Sequence, residues 1–343
     1  MRIHSGIAAC ARQLTRGALA IGNFDGVHLG HRGLFDAAKT AAQRQGGPTC
    51  ALTFEPHPAR MLAPDYAPPL ICTPARKREL LAEIGVDELV VQPFDRSFAQ
   101  TEPDTFVDLL LATGVAAIVV GHDFTYGRER RGNAETLRTA LDQCGVRLHV
   151  VPPITVNGLV VSSTKIREFT LEGRVEAAAQ LLGRPFDLDG DVVRGVGRGR
   201  KLGWPTANIH TEAELLPAVG VYAVRARLVD ASSSATAAPA ATSIEYVPPR
   251  LGPPLPGAAN LGLNPTFRAD AHAGSGREPL MLEVHLFDIA QDLYDRTLRV
   301  EFAHRLRDER RFPNVDALKE QIGRDVAAAR RLLRVGRGTP TRS

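Results

Sequence analysis

At 343 residues, with roughly 150 residues per domain as a soft prior, the chain predicts two domains. Hydrophobic residues make up 44% and charged residues 23%, globular proportions that exclude a disordered chain, a collagen and a disulfide-knotted miniprotein. The net charge is +4, and residues 296–343 hold 13 basic against 6 acidic residues; a solvated arginine-rich helix face is a plainer reading of that tail than nucleic-acid contact.

Cys10, Cys50, Cys72 and Cys144 show no metal-binding spacing and sit among apolar neighbours, so they read as reduced, buried thiols. No run reaches the roughly 18 apolar residues of a membrane span. The richest, Leu109 to Val120, is broken by Thr113 and Gly114. Without an apolar signal segment near the N-terminus, the expected location is the cytoplasm.

In chain order, Ala18–Ile21 predicts a short strand, residues 29–44 a helix with Leu34, Ala38 and Ala41 on one face, and Thr49–Phe54 a second strand. Thr73 and Pro74 predict an N-cap and first position for a helix that stops at Gly85. Strands Glu88–Phe94, Ala116–Val120 and Arg147–Val151 follow, separated by helices over 103–112 and 133–143. Five buried strands with crossover helices predict a parallel sheet covered on both faces, whose ligands bind beyond the carboxyl ends of the strands.

Past Gly183-Arg184-Pro185 the pattern changes to short β-rich runs: Asp189–Arg194, Gly220–Val229, Ala259–Leu261 and Leu280–Phe287. These predict a small antiparallel barrel. A final helix follows, N-capped by Asn314, with Val315, Leu318, Ile322, Val326, Ala329 and Leu333 as its apolar stripe. Residues 231–258, rich in Ala, Ser and Pro, read as a flexible excursion from a hairpin.

The first strand runs into Gly22-Asn-Phe24-Asp25-Gly26-Val-His28-Leu-Gly30-His31. Glycines permit a tight turn and close approach, and the two histidines open a helix whose free N–H groups favour an anion. Imidazoles there can stabilise charge developing on a transferring phosphate. A turn with two structurally satisfied histidines and a general phosphate-binding loop both stay open on these residues alone. Val161-Ser162-Ser163-Thr164-Lys165-Ile166-Arg167 opens a further helix, with hydroxyls and two cations near its N-terminus. A capped helix with solvated basic residues is an equal reading of that segment.

In the second half, the glycine-rich segment Gly195–Gly203 is followed by Pro205-Thr206-Ala207-Asn208. It fits neither a P-loop nor a dinucleotide fingerprint. If Thr206 to Asn208 is extended, hydroxyl and amide share a face and offer oxygen ligands to Mg²⁺. Alternation puts Glu283 and His285 on one face, opposite Leu282, Val284 and Leu286. Glu283 is there either a base beside a phosphate site or a solvated strand residue.

Together these motifs resemble one family, the bacterial bifunctional riboflavin kinase/FMN adenylyltransferases, also called FAD synthetases. Thr53-Phe54-Glu55-Pro56-His57-Pro58, Val119–Gly127 including Asp123, Asn260–Phe267 and Arg305–Glu309 belong to the same resemblance, which spans nearly the whole chain in order. The excursion 231–258 is longer than that hairpin usually is in the family.

The resemblance implies a Rossmann-like nucleotidyltransferase parallel sheet over residues 1–184 and a small antiparallel riboflavin-kinase barrel with a terminal helix over 185–343. It implies that riboflavin is phosphorylated to FMN, and FMN adenylylated to FAD, with ATP and Mg²⁺. His28, His31 and Glu283 are then the catalytic candidates. Gly22, Phe24, Asp25, Gly30, Asp123, Ser163, Thr164 and Arg167 would bind nucleotide in the first half; Gly197, Gly199, Lys201, Thr206 and Asn208 would do so in the second. Thr206 and Asn208 would also hold Mg²⁺, and His57, Arg305 and Arg307 would touch flavin. Partners are small molecules rather than nucleic acid or membrane, with a homo-oligomer left open. The alternatives are a chain retaining one activity, a non-catalytic nucleotide- or flavin-binding protein, and a different HxGH transferase. The last leaves Thr206, Asn208 and Glu283 without a purpose.

Overall fold

The computed structural model describes residues 1–195, 199, 202–230, 243–263, 280–289 and 291–334. Contacts divide the chain into two units, 1–163 with 232–249 and 164–231 with 250–343.

The first unit runs β1 (Arg2–Ser5), β2 (Ala18–Ile21), α1 (Leu29–Gln45), β3 (Thr49–Glu55), α2 (Pro58–Leu62), α3 (Pro74–Glu83), β4 (Glu88–Pro93), α4 (Arg96–Ala99), α5 (Pro103–Ala112), β5 (Ala117–Gly121), the short pair β6 (Thr125–Tyr126) and β7 (Gly132–Asn133), α6 (Ala134–Asp142), β8 (Arg147–Val151) and the small hairpin β9 (Thr155–Val156) and β10 (Leu159–Val160). The second unit holds α7 (Ser163–Leu171, whose first residue closes the first unit) and α8 (Val175–Leu182). It continues with β11 (Phe186–Val193), β12 (Ala207–His210) and β13 (Gly220–Asp230). β14 (Ser243–Glu245) returns to the first unit. β15 (Arg250–Leu251), β16 (Leu255–Leu263), β17 (Leu280–Leu286), β18 (Thr297–Arg307) and α9 (Val315–Leu332) complete the second.

Alternation along each strand assigns side chains to the two faces of the first sheet. Ala18, Ala20, Ala51 and Ala117 meet Phe35, Ala38, Ala41 and Ala42 of α1, and these small residues let the helix lie close. Leu19, Ile21, Leu52, Ile118 and Val120 meet Phe106, Leu110, Leu137 and Leu141 on the other face. Thr73 caps α3, its hydroxyl accepting from Arg76 N at 3.2 Å, and Gly85 ends the turn at φ +82°.

The strand order is β14-β1-β4-β3-β2-β5-β8, parallel except for β14. The chain steps from β2 to β3 on one side and to β5 on the other, so the switch point lies between β2 and β5. Ligands of such sheets bind there, beyond the carboxyl ends. Gly22–His31 follows β2, and Gly121-His122-Asp123 closes β5.

Two expectations are corrected. The sheet has six parallel strands rather than five, because β1 precedes the first strand read from sequence. The stretch 231–258 is not wholly a flexible excursion. Ser243–Glu245 pairs with β1 (Arg2 opposite Glu245, Ile3 opposite Ile244), Tyr246 N donates to Met1 O at 2.8 Å, and Ile244 and Tyr246 pack on the core. Residues 250–251 and 255–258 are also strand, while 231–242 lie outside the described residues. Polar composition hid a segment with only two large apolar anchors. Ile244→Lys should cost about 2 kcal/mol and speed amide exchange at Ile3, measured by thermal unfolding and hydrogen exchange.

The second unit closes a six-strand antiparallel barrel, β13-β16-β17-β12-β11-β18 and back to β13, with β15 added beside β13. Leu282, Val284, Val224, Val300 and Phe302 are buried. Arg299 is also buried, its guanidinium held by both oxygens of Asp189 at 2.7 Å. α9 covers Ala223, Ala258 and Ala303 with Val326, Ala329 and Leu333. Asn314 caps it, accepting from Ala317 N at 2.9 Å. Its stripe is shorter than the spacing predicts, since Val315 is 55% exposed. The helix's basic face is partly engaged: Arg330 pairs with Asp288 at 2.7 Å and stacks over Phe287.

All four cysteines are free, but Cys144 is exposed, contrary to expectation, because it lies in the turn after α6. Burial and then Glu88 push the Cys10 thiol up to about 11, so it stays protonated.

Candidate active sites

A 3-10 turn over Asp25–Val27 carries the chain from β2 into α1. Phe24 and Gly26 have φ of +51° and +74°, and a Cβ on Gly26 would come within 2.7 Å of Ile71. The Asp25 carboxylate is buried and accepts from Ile71 N at 3.0 Å and Cys72 N at 3.4 Å. Phe24 lies beneath the turn, edge-on to His31 at 5.4 Å. These two side chains therefore brace the turn.

His28 is the N-cap of α1, its Nδ1 accepting from His31 N at 3.3 Å. An accepting Nδ1 leaves the ring proton on Nε2. The two imidazoles stack at 3.6 Å and 14°. A side chain on Gly30 would press on His28 at 3.1 Å, so glycine there keeps the ring in place. His31 Nδ1 is buried without a hydrogen-bond partner among the described residues. Burial, then the stacked His28 and the Lys77 cation, hold His31 well below the usual histidine value, so it is neutral at pH 7. The turn thus presents neutral imidazoles at the N-terminus of a 17-residue helix, an arrangement suited to an incoming anion.

The carbonyl of Val161 lies 3.5 Å from the position a Gly30 Cβ would take, which brings Ser162 and Ser163 toward the same turn. Thr164 and Arg167 fall in the second unit. Asp123 is exposed, 4.0 Å from His122 Nδ1. His57 caps α2, accepting from Ala59 N at 3.2 Å. Sequence reasoning missed Lys77 as a member of this neighbourhood; it is buried on α3 and 3.2 Å from Thr53 Oγ1.

In the barrel, β12 places Asn208 opposite Glu283 on β17, and β16 places Asn260 opposite Glu283 on the other side. Cross-strand partners share a face, so the carboxylate stands between two carboxamides. Leu282 and Val284 point into the barrel and Glu283 away from it, as the alternation predicts. Asn260 lay inside a motif read from sequence but received no role; only register reveals it.

His285 Nδ1 donates to Pro205 O at 2.8 Å and fixes the extended entry to Thr206. Gly199 lies against Thr206, where an added Cβ would sit 3.0 Å from Oγ1. Beside Thr206 is a cavity of about 270 Å³, lined also by Pro205, Asp292 and Tyr294. Gly197, Lys201 and the segment 264–270 lie outside the described residues.

Arg305 stands opposite Tyr222 and donates to Val219 O at 3.0 Å. Arg307 grips both oxygens of Asp325 at 2.7–3.1 Å, tying β18 to α9. No helix among the described residues is long and apolar enough to cross a membrane.

Comparison with known proteins finds matches to both parts of the chain. A family model for FAD synthetase matches residues 10–165, and one for riboflavin kinase matches 182–333. The bifunctional riboflavin kinase/FMN adenylyltransferase of Pseudomonas fluorescens is 37% identical over 320 residues, covering 92% of this chain and 93% of that one. Its counterpart in Bacillus subtilis (strain 168) is 33% identical, covering 92% of each. A solved structure described as a macrolide-efflux protein from Streptococcus pneumoniae is similar with a TM-score of 0.77 and 32% identity, covering 92% of this chain and 94% of the other. With both modules matched in order and relatives alike over nine-tenths of their length, the chain belongs to the bifunctional riboflavin kinase/FMN adenylyltransferases.

Proposed function

We propose that this bifunctional kinase and adenylyltransferase divides its reactions between residues 1–184, which adenylylate FMN, and residues 185–343, which phosphorylate riboflavin. The observation that carries the division is that two polar side-chain groupings occur, each within its own unit. One is the stacked His28–His31 pair at the β2–β5 switch point; the other is the Asn208–Glu283–Asn260 row on the barrel.

For adenylyl transfer, an FMN phosphate oxygen attacks the α-phosphorus of ATP and the bond to pyrophosphate breaks. The chain supplies positioning and charge stabilisation, with no covalent intermediate. His28 and His31 hold the triphosphate, aided by Gly22, Gly30, Ser163, Thr164 and Arg167, while Asp123 contacts nucleotide. Phe24 and Asp25 act by fixing the turn. His57 is the flavin contact of this module.

For phosphorylation, Glu283 accepts the proton of the ribityl 5′-hydroxyl as it attacks the γ-phosphorus of ATP, and ADP leaves. Asn208, on the face that Glu283 shares, and Thr206 just before it orient ATP. The donor set of hydroxyl, carboxamide and carboxylate oxygens fits a hard cation. Mg²⁺, held by Thr206 and Asn208, would neutralise charge on the phosphates. Gly197, Gly199 and Lys201 cover the phosphates. Arg305 borders the flavin, and Arg307 shapes that border through its grip on Asp325. Small molecules are the partners of this cytoplasmic enzyme.

The test is a time course of the purified chain with riboflavin, ATP and Mg²⁺, separating flavins by chromatography. Riboflavin should fall as FMN and then FAD appear. FMN accumulating without FAD would leave a kinase alone, and absence of any phosphorylated flavin would remove both assignments.

A further inference from the structure

Lys77 is a buried lysine on α3, next to Leu80 and Leu81 of the core. Burying an ammonium is costly unless it is paired and hydrogen-bonded. Its Nζ lies 3.2 Å from Thr53 Oγ1 and 3.4 Å from Glu55 Oε1. Thr53 is itself buried, and its hydroxyl donates to Asn23 O at 3.1 Å, leaving oxygen lone pairs for Lys77. Glu55 is shared, because Arg78 takes its other oxygen at 2.7 Å. One carboxylate facing two cations leaves a net positive charge under the turn.

The connected groups Glu55, Lys77, Thr53 and Asn23 thus end on the turn that carries His28 and His31. We infer that Lys77 is a positioning residue for adenylyl transfer: it pins the Asn23 turn through Thr53 and keeps a positive charge below the histidine pair, so ATP meets a preset cradle. The inference rests on the reading that the triphosphate occupies that cradle. The depressed proton affinity of His31 supports it, since His28 on the same turn and Lys77 on α3 are the titratable groups acting on that ring.

The test uses the full chain with four substitutions. Lys77→Met should lower kcat for FAD formation from FMN roughly 10- to 100-fold, the scale of a misplaced catalytic group. Riboflavin phosphorylation by the same sample should be unchanged, and the amide NMR dispersion of residues 1–163 should stay native, which together verify that both units are folded. Without nucleotide, the His31 imidazole, followed by NMR, should titrate closer to an ordinary histidine. Lys77→Arg should return that titration toward wild type. Thr53→Val keeps the ammonium, so kcat should fall while the His31 titration stays put; Thr53→Ser should restore kcat.

A Lys77→Met enzyme with FAD-forming kcat within twofold of wild type overturns the proposal, as does an unmoved His31 titration. Failure of the underlying reading looks different. The His28/His31 double variant would keep making FAD, while His31 in the otherwise wild-type cradle still responded to Lys77→Met.

Discussion

With Glu283→Gln, FMN formation from riboflavin should fall by at least about 10²-fold, while FAD formation from supplied FMN continues at the wild-type rate. Glutamine preserves the volume of the side chain and its place between Asn208 and Asn260. The barrel is undisturbed, because the neighbours that fill it are Leu282 and Val284. Only the proton acceptor is lost. General bases contribute about 10²- to 10⁴-fold, or about 3–5 kcal/mol at 1.36 kcal/mol per tenfold. Loss of both activities would sink the division of labour between modules. Undiminished FMN formation would remove Glu283 as the base and leave it a solvated strand residue.

Much of the fold was legible because burial imposes period. Ala18–Ile21 and Arg147–Val151 match their strands residue for residue, and helix 103–112 does likewise. These are strands buried on one or both faces and a helix with strong punctuation, Pro103 at its start and Gly114 beyond its end. The misses have two causes. β1 and β14 lie at one end of the sheet, four and three residues long, and carry little apolar signal; in β1 even one of the two buried side chains is polar, His4, 2.7 Å from Glu88. β18 was missed for a different reason: its outward positions include Arg299 and Arg307, whose carboxylate partners Asp189 and Asp325 are distant in sequence. An arginine that is paired across a barrel reads, from sequence, like one in solvent.

The sites divide the same way. Local chemistry was readable: the turn with two histidines opens α1, Asn208 lies in a strand, though that strand starts only at Ala207 and not at Thr206, and Glu283 alternates with buried Leu282 and Val284. Contacts that need tertiary register were not. Asn260 gains its place only because β16 lies beside β17, and Lys77 only because α3 packs under the β2 turn. Asp25 illustrates a residue read as a ligand-facing carboxylate whose oxygens turn inward to the backbone of Ile71 and Cys72. No sequence spacing announces a bond across forty-six residues.

The complementary experiment removes the histidine pair. His28→Ala with His31→Ala should stall the enzyme at FMN, with FAD formation reduced by 10² to 10³ or more, the loss typical of one preorganised donor to a developing oxyanion. Part of any His28 effect would be structural, because its Nδ1 caps α1, and losing a cap costs about 1 kcal/mol. Asparagine separates the two roles. His28→Asn keeps an N-cap acceptor but removes the imidazole, so it should match His28→Ala in lost FAD formation while retaining thermal stability closer to wild type. The acid side offers a second check. Folding holds the His31 proton affinity below its unfolded value, so the native state resists protonation and loses stability as pH falls below about 6.5. That acid-side loss should shrink in His31→Ala, which has no ring to protonate. Full FAD output from the double variant would show that the triphosphate is held elsewhere, and riboflavin phosphorylation, measured alongside, should stay intact throughout.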